Sequence, residues 1–207
     1  MARKEKRSER SKIDATPPWE RRKPTPTAAT TGPFDVTDAP EDEVARVDLG
    51  ALQVPVSELE MRLDVAETQE VVSVTLVGEQ GQMQLGAFAA PRSEGIWEDV
   101  RAEIGRGLAE QGGRATDEDG EFGTELVGVL GPDAGRAPVR FIGVDGPRWL
   151  LRAMLVGPIA RSAARGDFLQ ALRQTVVVRG TDPLPVREPI PLRLPLDVAE
   201  QIAAAQE

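Results

Sequence analysis

The sequence predicts an α+β domain: a mostly antiparallel sheet of six to eight strands with two flanking helices. Three observations predict it. Several runs alternate apolar and polar residues with period two, as half-buried strands do. Two other stretches space apolar residues three to four apart, as amphipathic helices do. The connections are short and carry Gly, Pro and Asp, which suits strands joined by hairpins.

Taken in order, Arg46–Val54 reads as a strand interrupted by Gly50. In Glu58–Val65, Leu59, Met61, Leu63 and Val65 share one face, while Glu58, Glu60, Arg62 and Asp64 share the other. Val71–Val77 is β-branched and suits a central strand. In Gln82–Ala90, Met83, Leu85, Ala87 and Ala89 face away from Gln82, Gln84 and Phe88. Ser93 then suits an N-cap, with Glu94 in the first turn. Ile96, Trp97, Val100, Ile104 and Leu108 make one helical face that stops at Gly112-Gly113. The helix carries Glu98 with Arg101, and Glu103 with Arg106, as i,i+3 pairs. Ala115–Gly123 reads as an acidic loop, Thr124–Leu130 as a strand and Gly131–Ala137 as a turn. Pro138–Val144 and Pro147–Val156 form a hairpin through Asp145-Gly146. Asp167 suits the cap of a second helix with Phe168, Leu169 and Leu172, and Thr175–Arg179 a last strand. This order also resembles the PsbP/Mog1-like sandwich.

Around this single domain, 45–180, the sequence places two different flanks. Residues 1–31 read as a disordered basic tail, polar and rich in Pro, Thr and Ser. Residues 32–44 read as an acidic linker with Asp35, Asp38, Glu41, Asp42 and Glu43. Residues 181–207 read as a Pro-rich extended arm followed by a short helix, Leu196–Ala205. The arm cannot be an interior strand, because Pro lacks the N–H that a ladder needs. Burial of Leu184, Ile190, Leu192 and Leu194 favours wrapping on the domain over engagement of a partner in polyproline form.

Charge is split in the same way. Of the 207 residues, the first 30 carry nine basic and four acidic side chains, whereas the remainder carries sixteen and thirty. Every Lys falls at or before Lys23, a bias that a GC-rich genome explains. The chain has no Cys, His or Tyr. Thiolate and imidazole chemistry, Cys or His metal sites and disulfides are therefore excluded. The expectation is no metal and no cofactor. The start lacks the apolar segment of a signal peptide, and no apolar run is long enough to span a bilayer. A cytoplasmic protein with no membrane partner is expected.

Three motifs carry candidate chemistry. In Ala90–Trp97, a helix start with Arg92 and Ser93 can hold an anion on its free N–H groups. Ordinary capping over a buried Trp97 explains the same residues, and Glu94 would repel the anion. In Val144–Trp149 and the following strand, Arg148 and Arg152 share a face and can form a basic strip for a carboxylate or phosphate. A tight turn followed by a strand whose Arg residues pair with the acidic surface is the plainer reading, with Trp149 on the strand's other side. Glu121 and Glu125 are two carboxylates four apart, with no second ligand set near them in sequence. Phe122 between them suits a loop anchor.

The chain also resembles the actinobacterial domain-of-unknown-function 3710 family. The carriers are Gly32–Asp35 with Asp38–Pro40, Asp48–Gly50, Ala87–Trp97, Phe122–Leu126, Val139–Leu151, Val176–Gly180 and Pro191–Pro195. The resemblance implies a cytoplasmic protein of GC-rich actinobacteria without an assigned activity, and it carries over no catalytic residue. The leading expectation is a non-enzymatic protein-binding or adaptor domain that offers a sheet edge or the Arg148–Arg152 strand. The alternative is a small-molecule or anion-binding domain, or an unusual enzyme, using Arg92, Ser93, Trp97, Arg148, Trp149 and Arg152. Nucleic acid is expected only as a weak partner of the basic tail, since the acidic body repels phosphates.

Overall fold

The computed structural model describes residues 31–65, 71–130, 137–163, 165–181 and 183–195. Among them, the chain order is β1 (Phe34–Asp35), β2 (Arg46–Asp48), β3 (Leu52–Pro55), β4 (Glu60–Val65), β5 (Val71–Gly78), β6 (Gly81–Ala89) and α1 (Trp97–Glu110). Then follow β7 (Arg114–Gly120), β8 (Gly123–Leu130), β9 (Ala137–Gly146), β10 (Trp149–Val156), α2 (Gly166–Gln174) and β11 (Val176–Val177). Seven strands form an antiparallel sheet in the order β4-β5-β6-β10-β9-β8-β7, and four short ones form a second sheet, β1-β11-β3-β2. The fold is α+β.

Strand alternation divides the interior into two cores. Val74 and Leu76 of β5, Met83 and Leu85 of β6, and Leu151, Ala153 and Leu155 of β10 face the small sheet and α2. There they meet Leu52, Val54, Val177, Phe168 and Leu172. The opposite face of β8, β9 and β10 presents Leu126, Val139, Phe141 and Leu150 to Trp97 and Leu108 of α1. Each fully buried aliphatic or aromatic side chain contributes roughly 1.5–3 kcal/mol.

The strand count exceeds the expected six to eight, for local reasons. Gly50 has φ +78°, so Arg46–Val54 is folded into the β2–β3 hairpin rather than kept as one strand. The presumed acidic loop is strand β7, paired to β8 from Arg114↔Val129 to Gly120↔Gly123. Its carboxylates are exposed because β7 is an edge strand, where charge also deters pairing with other chains. Phe34–Asp35, read as part of the linker, is pulled into the small sheet beside β11. The hairpin turn lies at Pro147-Arg148, two residues later than expected. Gly146 is needed in β9 because a Cβ there would lie 2.0 Å from the Trp149 ring.

Helix details also differ. α1 starts at Trp97, not after Ser93. Arg101 turns to Asp117 and Glu103 to Arg187, so the expected i,i+3 pairs give way to tertiary partners. No side chain caps α2, and Asp167 sits within its first turn. The last strand is only Val176–Val177. The basic tail, the turn at 131–136 and the helix expected at 196–205 lie outside the described residues.

The Pro-rich arm wraps the domain. β5 pairs with β6 from Gly78↔Gly81 to Val74↔Leu85. Beyond Leu85 the arm takes over the β6 edge. Arg187 and Ile190 donate their N–H groups to Ala89 and Ala87 at 2.7 and 2.9 Å, and Glu188 accepts from Ala89 at 2.8 Å. Pro189 lies between these two donors and Pro191 just after Ile190, so their missing N–H groups leave these bonds intact.

Two outcomes test this packing. A Cβ at Gly143 would lie 2.1 Å from the Trp97 ring, whereas one at Gly107 meets nothing within 4 Å. Gly143→Ala is expected to cost about 1–3 kcal/mol in urea unfolding. Gly107→Ala should be neutral or gain up to about 1 kcal/mol; equal midpoints for the two would contradict the seating of the indole. The second outcome concerns acid stability. The Arg173 hydrogen bond holds the Glu121 carboxyl below its usual range and ties the β7–β8 turn to α2. A depressed folded-state pKa stabilises fully above the unfolded value of about 4.5 and is lost as pH falls through the folded value. Glu121→Gln should therefore flatten the acid limb of a Tm–pH curve, and salt should shrink the difference, because the pair is solvent-exposed.

Candidate functional site

The start of α1 is already occupied by the chain itself. Asp145, at the end of β9, accepts from the backbone N–H of Ile96 at 2.8 Å and of Trp97 at 3.2 Å. A carboxylate at the positive end of a helix satisfies donors that an external anion would need. Gly95 makes the approach possible, since a Cβ there would lie 2.4 Å from the Asp145 carboxylate. Arg92 and Ser93 are exposed on the preceding loop and take no part in the cap.

Trp97 and Trp149 are both spent on structure. Trp97 Nε1 donates to the Thr124 carbonyl at 2.8 Å, and Trp149 Nε1 to Asp35 at 2.7 Å. Both rings are buried. Arg148 lies in the hairpin turn with φ +71°, so it does not share a strand face with Arg152. Arg152 is half-buried in mid-strand, 4.6 Å from the centroid of the Phe88 ring. Burial lowers its guanidinium from the usual range, but an Arg keeps its charge. Of the six candidate residues, Arg152 alone lines one of the three cavities described below.

The paired carboxylates also part company. Glu121 binds Arg173, whereas Glu125 is 1% exposed and binds Arg140 at 2.5 Å. Arg140 reaches Glu118 at 2.9 Å and the Ala160 carbonyl at 2.8 Å as well. Oε1 of Glu125 is buried without a hydrogen-bond partner. This network borders a concavity of about 730 Å³ between β7, β8, β9 and Arg161. Its Arg140 and Glu118 already satisfy each other, and it opens along the edge strand.

A smaller cavity, about 250 Å³, has the better chemistry. Its floor is Ala51, Ala89, Leu184, Ile190 and Pro191, and its charged lining is Arg179 and Arg193. The backbone sets both cations. Val178 donates to the Ala51 carbonyl at 2.9 Å, which places Arg179 next to the opening. Arg193 donates its own N–H to Leu49 at 2.8 Å, and its stem crosses Gly50, where a Cβ would lie 3.3 Å away. Arg148 is near enough that its charge is felt at Arg179. Burial first, and then that like charge, lower the Arg179 guanidinium, with a partial offset from Asp35. Asp35 itself is engaged by Trp149. Among the described residues, Arg148, Arg152, Arg179 and Arg193 have no carboxylate at ion-pair distance.

Sequence reasoning found Arg148 but missed Arg179 and Arg193. The signal available was weak: one Arg just before the Pro-rich arm and one inside it, where apolar and cationic residues alternate. Among the described residues no helix is long and apolar enough to cross a membrane, and no acidic cluster fits a metal ion. A family model described as a protein of unknown function, DUF3710, matches residues 32–201. No curated protein matches the chain.

The cap supplies the test for this region. Asp145→Ala should cost about 1–2 kcal/mol and loosen α1, whereas Ser93→Ala should leave the urea midpoint unchanged. The reverse ranking would return the cap to Ser93.

Proposed function

For this chain, which belongs to the DUF3710 family, we propose a ligand-binding role: it takes up a small organic anion in the cavity lined by Arg179 and Arg193. One observation carries the reading. In a body with thirty carboxylates, cations that line an apolar cavity have no carboxylate partner among the described residues. Half-buried charge is normally paired, so Arg179, half-buried in a concave apolar setting without a carboxylate, is suited to an exogenous counter-ion, and the exposed Arg193 adds its charge to the same lining. Arg148 adds a third positive charge beside Arg179. Its left-handed backbone in a Pro147-Arg148 turn, a place that favours Gly, is a local cost of the kind that accumulates at binding sites.

The ligand is described by this lining. Its anionic group, a carboxylate or phosphate, faces the guanidinium groups, whose planar forks suit both. Its carbon body lies on Ala51, Leu184 and Ile190. The adaptor reading has less support. The outer strands of the large sheet, β4 and β7, display Glu60, Arg62 and Asp64, and Asp117, Glu118 and Asp119, which oppose strand addition.

Thermal-shift measurement with hexanoate, phenyl phosphate and their neutral analogues tests the proposal. The anions should raise Tm and the neutral analogues should not, with a gain of about 2.7 kcal/mol at 100 times Kd. Arg179→Ala and Arg193→Ala should remove the shift while keeping the unliganded Tm. Equal shifts in the wild type and both variants would refute it.

A further inference from the structure

We propose a second anion site, built on Arg152 and separate from the Arg179 cavity, that takes a carboxylate with a short branched aliphatic body. The two cross-strand neighbours of Arg152 are both glycine: Gly86 on β6 and Gly143 on β9. No side chain from either neighbour can cover the guanidinium or pair with it. The spaces beside it are instead filled by rings. Phe88 stands 3.3 Å from the position a Cβ would take at Gly86, and Trp97 2.1 Å from that at Gly143. Arg152 thus rests on Phe88 with its charge uncompensated, and it lines a cleft of about 260 Å³.

The remaining lining describes the ligand. Ser73 and Gln84 are its polar groups, and Pro189, Ile190 and Leu192 of the arm form an aliphatic wall. Gln84 Nε2 donates to Ser73 Oγ at 2.9 Å, and Ser73 in turn donates to Asp64, which also accepts from Thr75 at 3.1 Å. Asp64, the nearby acid of this face, is thereby held by β5 hydroxyls. Arg62 is bound by Glu60, which leaves Arg152 as the available cation of the cleft. A single guanidinium suits a monoanionic carboxylate rather than a phosphate dianion. The arm separates the two sites. Leu192 faces this cleft, Pro191 and Arg193 face the other cavity, and Ile190 borders both.

Amide-resolved NMR titration of the full chain with isobutyrate, and with isobutyramide as the neutral control, tests this site. Isobutyrate should produce saturable shifts at Gly86, Phe88 and Gly143, and isobutyramide should not. Arg152→Met should weaken binding about tenfold or more, and Arg179→Ala should leave it unchanged. If Arg152→Met does not fold, Gly86→Ala narrows the cleft beside the same guanidinium and should weaken binding in the same way. Shifts that centre on Ala51, Val178 and Leu184, or that survive both Arg152→Met and Gly86→Ala, would overturn the second site without touching the first. Failure of the wild-type chain to bind hexanoate, or hexanoate binding that persists in Arg179→Ala, with isobutyrate binding intact, would overturn only the first.

Discussion

Strand β10 is buried on both faces, and the position of every other layer follows from that. Its odd-numbered residues, Leu151, Ala153 and Leu155, enter the core beneath the small sheet, while Leu150 enters the core beneath α1. Pairing with β6 on one side and β9 on the other places it in the middle of the large sheet. The two cores are thus mechanically joined through one strand. Trp149, the first residue of that strand, then anchors β1 of the second sheet through Asp35. Asp145, directly across the hairpin from Leu150, anchors the start of α1. A short stretch of hairpin holds both covering layers in register.

Electrostatics sets two groups of arginines apart. One group is spent on tertiary ties: Arg46 to the Gln174 carbonyl, Arg101 to Asp117, Arg140 to Glu125 and Glu118, Arg173 to Glu121, and Arg187 to Glu103 and Asp99. These connect separate elements, and the buried Arg140–Glu125 contact is the kind whose disruption strands a charge. The second group, Arg148, Arg152, Arg179 and Arg193, lies in or beside concave surfaces without such partners. In an acidic body, pairing would have been easy to supply. Its absence around two clefts is the ground for the proposed binding.

The arm links these themes. It completes the β6 edge that β5 abandons, bonds to α1 through Arg187 and supplies a wall to both clefts. Because extended chain alternates its side chains, one short segment can present Leu192 to one cleft and Arg193 to the other. Occupancy of either cleft, as proposed, would bear on the seating of the same segment.

Local pattern in the sequence determined much of the fold. The period of two in Met83–Ala89 and Trp149–Leu155, and the spacing of Ile96, Val100, Ile104 and Leu108, encode which face is buried, because burial acts residue by residue along one element. The same local reasoning identified the Pro-rich arm as extended and the chemistry that lacks Cys and His as closed. Tertiary structure alone decided the rest. Acidic β7 became a strand because β8 offered it a ladder, and Asp145 displaced Ser93 as the cap because a hairpin distant in sequence delivered a carboxylate to the helix start. Arg148 and Arg152 separated because the turn fell at Pro147-Arg148, while Arg179 and Arg193 came together because separate backbone bonds to Ala51 and Leu49 placed them on one cavity. Such pairings depend on which distant groups chain topology brings within hydrogen-bond or Coulomb range, and no periodicity along the sequence records that.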